Sequence, residues 1–307
     1  MRIGVIGYGY VGKAIADCHD RNTIMINDPY ALEEWEQYTI EDIKANTGWL
    51  YVCVPTPMAE DGSCDTSILK GVLDSLIDYE GIVICKSTAP PEFYISIEKE
   101  CGPYKKYKFK LAHMPEFLTA ANALKDYMYP RLIVIGGHPN VANTIAQFVI
   151  TSDLTYKTKA RIVKTDIGSA AAMKYYANSW LATKVIFNNQ FANWCKSQGV
   201  NWDEMALVCK EDLRLGDSHY RVPGDNGDVG YAGACFPKDV SAILASAEAK
   251  NVDMSLLKTQ VEINNQIREA QRIEREEAEK NKSALTGRRR RDEIPRGPVV
   301  RPPRRRG

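Results

Sequence analysis

At 307 residues the chain has room for two moderate domains, and 44% hydrophobic with 26% charged residues is ordinary for a globular protein with a sizeable core. No apolar run approaches the roughly 18 unbroken residues of a membrane span, and the N-terminus reads as strand and turn rather than a leader, so a cytoplasmic location and no membrane partner are expected. The net charge of +1 conceals an asymmetry: nine arginines between 288 and 306 against Asp292 and Glu293, a surplus of seven, leave about −6 on the remainder.

The first half of the sequence alternates short β-rich runs with helical patterns. Strands are predicted at Arg2–Ile6, Thr23–Asn27, Trp49–Val54, Gly81–Cys85, Phe109–His113 and Leu132–Ile135, with helical segments such as Thr66–Tyr79 and Asn140–Ile150 between them. Such alternation predicts an α/β fold, a doubly wound parallel sheet of the Rossmann type with helices on both faces. The first strand runs into "IGYGYVGKAI", where Gly7, Gly9 and Gly12 have the G-x-G-x-x-G spacing and Tyr10 and Val11 complete the turn. Glycines there allow a tight turn and close approach to a pyrophosphate, and the following helix offers it unpaired N–H groups. The second strand ends in Asp28, placed to hold the adenosine ribose hydroxyls and to repel a 2′-phosphate, so NAD is favoured over NADP.

Ligands of such sheets bind beyond the carboxyl ends of the strands. "VPTP" places Pro55 and Thr56 there after the third strand, and "KST" places Thr88 after the fourth. Either threonine alone reads better as a turn cap. "MPEFL" puts Glu116, Phe117 and Leu118 after the fifth strand. From about Asp166 a stretch of some thirty residues without proline predicts one long helix ending near Gly199. On it Lys174 and Asn178 stand at i and i+4, hence on one face, with Ala170, Ala171 and Ala177 leaving room for close approach.

A loop rich in Gly, Asp and Pro follows over 216–233, then "VGYAGACFPKD", with Gly233, Cys235, Lys238 and Asp239, opens a helix expected from Pro237 to about Asn251. Read alone, Cys235 is a structural thiol, a metal ligand or a nucleophile. The eight cysteines show no C-x-x-C and the four histidines no ligand pair, so disulfides and a metal site are not expected. A last helix is predicted from about Asp253 to Lys282, apolar in its first half, which suits a packing element or a homodimer seam. The organisation predicted is therefore a nucleotide-binding domain over 1–165, a mostly helical domain over 166–282 and a basic tail over 283–307. The tail carries prolines at 295, 298, 302 and 303 and no aromatic residue to stack on bases, so it reads as solvated and disordered rather than as a nucleic-acid contact.

Taken in order, "GYGYVG", "VPTP", "KST", "PEFL", "MKYYANSWLATK" and "CFPKD" resemble the nucleotide-sugar 6-dehydrogenases, the family typified by UDP-glucose 6-dehydrogenases, over roughly residues 1–275. The resemblance implies an NAD-dependent four-electron oxidation of a sugar C6 alcohol, of UDP-glucose or a related nucleotide sugar, to the carboxylate. It gives Cys235 the role of covalent nucleophile, through a thiohemiacetal and a thioester. Lys174 and Asn178 would stabilise developing oxyanions and orient substrate, Asp239 would assist proton transfer, and Glu116 would serve thioester hydrolysis. Thr88 would position the reacting hydroxyl or water, and Lys238 would lie near cofactor and substrate phosphates. Phe117, Leu118, Arg214, Tyr220 and Gly233 would contact the substrate, and the family also implies a dimer.

The sequence departs from the family pattern at Ala171, where an acid is usual, at Met114 and Thr119-Ala120 around the "PEFL" motif, and at Ala232-Gly233 in place of a glycine pair. A third α/β domain over the nucleotide half of the substrate is usual in the family and is not expected within these residues. Two alternatives stay open: an NAD-binding scaffold without turnover, or a single-step hydroxyacid-type dehydrogenase.

Overall fold

A computed structural model describes residues 2–30, 35–119, 122–151 and 160–289, with side chains except at 281 and 283–289. In chain order the elements are β1 (Arg2–Ile6), α1 (Tyr10–Asp17), β2 (Ile24–Asn27), α2 (Ile40–Asn46), β3 (Thr47–Val52), α3 (Ser67–Ser75), β4 (Ile82–Cys85), α4 (Pro91–Lys99), β5 (Lys110–His113), α5 (Ala123–Met128), β6 (Leu132–Gly137), α6 (Pro139–Thr151) and β7 (Arg161–Thr165). Four further helices follow: α7 (Ile167–Ser197), α8 (Trp202–Glu211), α9 (Phe236–Ala249) and α10 (Ser255–Arg289).

The strands form one seven-stranded sheet in the order β2-β1-β3-β4-β5-β6-β7. The chain leaves β1 for β2 on one side and returns to β3 on the other, so the strand order reverses between β1 and β3. That reversal opens a crevice at their carboxyl ends, where the glycine turn lies. Period-two alternation feeds a core on each face. Ile3, Val5, Trp49, Tyr51, Ile82 and Ile84 go to one face; Ile6, Leu50, Val52, Val83 and Cys85 go to the other. Local signals set several helix starts: Thr39 and Asp42 close a reciprocal capping box on α2, and Pro91 opens α4.

The doubly wound sheet is as expected, with one qualification. β6 runs antiparallel to β5, Ala112 facing Gly137, while every other pairing is parallel. β7 and α8 were not anticipated: β7 (RIVKT) mixes charge with apolar residues and stands at the sheet edge, and α8 lies in a stretch with weak periodicity. α10 continues to Arg289, past the expected limit at 282; residues 290–307, and with them most of the basic tail, lie outside the described residues. No helix among the described residues is long and apolar enough to cross a membrane.

The chain divides into two compact units, Met1–Val185 with Tyr231–Thr259, and Ile186–Gly230 with Gln260–Gly307. The expected boundary at 165/166 falls just ahead of α7, whereas the units part inside it. The reason is that the N-terminal part of α7 packs on the sheet: Ile167 and Ala171 join its core. A methyl on Gly136 would lie 2.3 Å from the Ala170 Cβ. The small residues noted on this helix therefore admit a strand. In the second unit, Ala192, Cys195, Trp202, Ala206 and Tyr220 form the core, and the Trp202 indole N–H donates to the Tyr220 carbonyl at 3.1 Å.

Candidate active site

All the residues expected at the reacting centre fall within the first unit, grouped in two regions at the carboxyl ends of its strands. The first is the glycine turn. Gly7 has φ +96, and a Cβ there would sit 2.6 Å from the Cys53 carbonyl oxygen, so the turn passes hard against the end of β3. A Cβ on Gly12 would lie 1.9 Å from the Gly7 oxygen, whereas one on Gly9 would meet nothing within 4 Å. Gly7 and Gly12 thus serve the packing of turn and helix, and Gly9 leaves an open approach. α1 starts directly after Gly9 without a side-chain cap, so its first N–H groups face that opening. Asp28 accepts the Tyr8 N–H at 2.5 Å on one carboxylate oxygen and the Tyr30 N–H at 2.7 Å on the other, which fixes it beside the turn. An uncapped helix start, a backbone approach free of Cβ and a seated carboxylate fit a dinucleotide. Tyr10 is exposed, Val11 half-buried.

From β3 and β4 come Thr56 and Thr88. The buried Thr56 hydroxyl donates to the Thr88 carbonyl at 2.6 Å, tying the two strand ends together, while Pro55 beside it is exposed.

The second region is a cluster around Cys235. α7 presents Lys174 and Asn178, only 4% and 6% exposed. The Lys174 ammonium pairs with Glu116 Oε1 at 2.8 Å and stands 5.9 Å from the Phe117 ring centroid, while Glu116 Oε2 accepts the Leu118 N–H at 2.7 Å. The Asn178 amide donates to Asp239 Oδ2 at 2.5 Å, and Lys238 pairs with Asp239 Oδ1 at 2.6 Å. Lys238 therefore addresses a neighbouring carboxylate in this structure. Asp239 is buried in the first turn of α9, its N–H donating to the Cys235 carbonyl at 2.9 Å. Cys235 immediately precedes α9 and is exposed. Partial desolvation raises its thiol above the ordinary value; Lys174 and Lys238 lower it, Asp239 and Glu116 raise it. The net rise keeps most of the sulfur protonated at neutral pH, and the two ammonium groups are what make a thiolate accessible. Gly233, two residues before the thiol, has φ +84 and open space where a side chain would stand.

Three features of the cluster were not singled out from sequence. Lys86 is 7% exposed at the end of β4, and burial depresses its ammonium while Glu116 and Cys53 support it. His113 is fully buried against Tyr94, ring centroids 4.2 Å apart. Its Nδ1 donates to the Cys85 carbonyl at 3.0 Å in the neutral tautomer, Nε2 has no hydrogen-bond partner among the described residues, and burial lowers it to about 3. Cys64 contacts the Thr88 carbonyl at 3.7 Å. Lys86 stood in the quoted "KST", where a lysine closing a four-residue apolar strand was the available signal; the other two gave none.

Arg214 and Tyr220 belong to the second unit. Arg214 is exposed and paired with Asp212 at 2.5 Å. Tyr220, expected to contact substrate, is 5% exposed in the packed core of that unit beside Trp202, which corrects its reading as an open binding residue.

Comparison with known proteins divides the chain between residues 152 and 168, ahead of α7. Residues 33–152 match the NAD-binding domain of the UDP-glucose/GDP-mannose dehydrogenase family, and residues 168–266 match its central domain. The chain is 29% identical over 303 residues to the UDP-glucose 6-dehydrogenase of Haloferax volcanii, covering 86% of this chain and 69% of that protein. It is 32% identical over 230 residues to that of Rickettsia bellii, covering 73% and 50%. The chain thus spans about half to two thirds of the length of such relatives. Among solved structures, a UDP-glucose dehydrogenase from Pyrobaculum islandicum superposes with a TM-score of 0.71 at 23% identity over 86% of this chain and 68% of that one, which establishes the shared fold.

Proposed function

The chain belongs to the UDP-glucose/GDP-mannose dehydrogenase family, and from that premise we propose that it oxidises the C6 alcohol of a nucleotide sugar, UDP-glucose first among candidates, to the carboxylate. The observation that carries the proposal is the convergence of Lys174, Glu116, Asn178, Lys238 and Asp239 on one exposed thiol, in the same unit as the dinucleotide turn. Gly7, Gly9, Gly12 and Asp28 would hold NAD, with Thr56 and Thr88 at its reacting end, and two such molecules in turn would supply the two hydride acceptors.

Oxidation of the alcohol gives an aldehyde, releasing one hydride and one proton. The Cys235 sulfur adds to the aldehyde carbon, and the oxygen takes a proton to give the thiohemiacetal. Loss of a second hydride and a proton leaves the thioester, and water splits it into the carboxylate and the free thiol. In each addition negative charge builds on the sugar oxygen. The buried Lys174 ammonium, already turned toward the cluster by Glu116, and the Asn178 amide are placed to meet that charge. Asp239 receives protons through water, and Glu116 activates the water that attacks the thioester. Covalent retention of the aldehyde is the reason a cysteine is useful here: a single-step dehydrogenase has no need of one. A homodimer seam along α10, where Leu256 and Ile273 are 76% and 44% exposed, belongs to the same proposal and is tested by light scattering.

The test is stoichiometric. With NAD and a panel of UDP- and GDP-sugars, about two NADH should form per acid released, as a four-electron oxidation requires. Tight NAD binding with no turnover on any of them would sink the proposal.

A further inference from the structure

The hairpin that follows Thr56 takes no part in the chemistry above, yet it touches both Thr88 and the helix that carries the thiol. We infer that the hairpin of residues 57–66 is a bracket that positions the thiol helix α9, with Gly62 and Ser241 as its latch. What the positioning achieves rests on the oxidation proposed above; the bracket itself does not.

The hairpin is bonded to itself. The Ala59 N–H donates to the Ser63 carbonyl at 2.9 Å, the Gly62 N–H to the Ala59 carbonyl at 3.0 Å, and the Asp65 N–H to the Pro57 carbonyl at 2.8 Å. Asp61 Oδ1 accepts the Ser63 N–H at 2.9 Å, and Met58 bridges antiparallel to Cys64. A loop with this many internal bonds has few soft dihedrals and transmits position. Its foot stands on Thr88, whose carbonyl accepts from Thr56 Oγ1 at 2.6 Å and from Cys64 Sγ at 3.7 Å. Its tip reaches α9, where the Ser241 hydroxyl donates to the Gly62 carbonyl at 2.8 Å.

Two separate demands fall on Gly62. Its φ of +82 suits glycine, and a Cβ there would stand 2.5 Å from Ser241 Oγ. Ser241 lies two residues beyond Asp239 and six beyond Cys235. The start of α9 has no side-chain cap to hold it. Further side-chain ties from α9 include Asn178 on Asp239, Phe236 edge-on to Tyr231 with ring centroids 6.0 Å apart, and Ser246 to Glu92 at 2.8 Å on an exposed face far along the helix. Among these, the latch is the bond that ties α9 to the hairpin standing on Thr88, at the cofactor end of the sheet. Released, α9 keeps its Asn178 tie to α7 but can turn about it, shifting Cys235 relative to Lys174, the charge that most favours the Cys235 thiolate.

The experiment compares the parent chain with Ser241→Ala, with Ser241→Thr, which keeps the hydroxyl, and with Gly62→Ala. Iodoacetamide alkylation of Cys235 is followed by peptide mass mapping from about pH 6 to about pH 10, a range that brackets thiol ionisation. NAD binding is titrated by fluorescence. Ser241→Ala is expected to alkylate about threefold more slowly below the thiol pKa, equivalent to half a pKa unit. Ser241→Thr restores the profile, and NAD affinity is unchanged in both. A Ser241→Ala profile that superimposes on the parent's overturns the bracket; should Gly62→Ala fail to fold, Ser241→Ala decides alone. If no nucleotide sugar is turned over but the alkylation difference holds, the oxidation reading falls and the bracket stands. If turnover is found and the profiles coincide, the reverse is true.

Discussion

At the glycine turn the backbone forms the site, and at the thiol cluster side chains from distant segments form it. Gly7, Gly9 and Gly12 lie within six residues, and their role is to leave space: one for a strand, one for a ligand, one for the next turn of chain. The cluster draws on the end of β5, on α7 and on the start of α9, and its geometry exists only because charges are paired out of water. The turn should therefore tolerate loss of side-chain chemistry and be sensitive to added volume. The cluster should tolerate little change of charge, because a buried ion left without its partner is strongly destabilising.

The largest expected effect separates the two regions cleanly. Cys235→Ala should cut acid formation by about a thousandfold or more while NAD affinity stays as it was, since the thiol forms covalent intermediates and touches no part of the turn. NADH production and calorimetric NAD titration on one preparation test this, and a parallel loss of NAD binding would show that the regions are not separable. Lys174→Ala comes next, with a loss of about a hundredfold in kcat. The same variant leaves the half-buried Glu116 without its ammonium partner and should lower stability by about 3 kcal/mol in denaturant melts. A catalytic loss without any fall in stability would mean that the pair is less buried than its 6% and 14% exposures indicate.

Smaller effects sharpen the contrast within the turn. Gly9→Ala should lower NAD affinity by about tenfold and leave the melting midpoint almost unmoved, because its Cβ meets only the space a pyrophosphate would use. Gly12→Ala, with its Cβ 1.9 Å from the Gly7 oxygen, should lose stability as well as affinity. If the two variants behave alike, the division of roles between these glycines is wrong.

A separate effect is a pH dependence centred on His113. Its folded pKa of about 3 lies below the ordinary 6.5, so the unfolded chain binds a proton first as pH falls. The stability this histidine contributes is complete above about pH 6.5 and is lost on acidification toward pH 3, at about 1.4 kcal/mol per unit for one proton. Denaturant melts of the parent and of His113→Gln between pH 7 and about pH 5 isolate it. Equal slopes for the two would assign the acid sensitivity elsewhere.

Much of the fold was readable because its signals are local. Six strands appear within a residue or two of their expected places, since apolar runs such as "IGVI" and "IVIC" are long enough to read, and G-x-G-x-x-G reports a backbone conformation that glycine alone supplies. The reversed β6 was not readable, because strand direction is set by where the connection from β5 returns, not by the composition of "LIVIGG". Tyr220 shows the same limit from the other side. A tyrosine in a polar loop looks available, and only packing against Trp202 and Ala192 makes it core.

The sequence by itself determined six of the sheet's seven strands, the glycine turn, the acid at Asp28 and the residue types of the thiol cluster, because each depends on neighbours a few positions away. Only the tertiary structure decided how those residues are partnered: Glu116 on Lys174, Asp239 shared between Asn178 and Lys238, Gly62 latched to Ser241. Such pairings join segments 58, 61 and 179 residues apart, and one-dimensional spacing carries no information about which charge will be buried beside which. Burial and the need to satisfy each buried polar group made the choice.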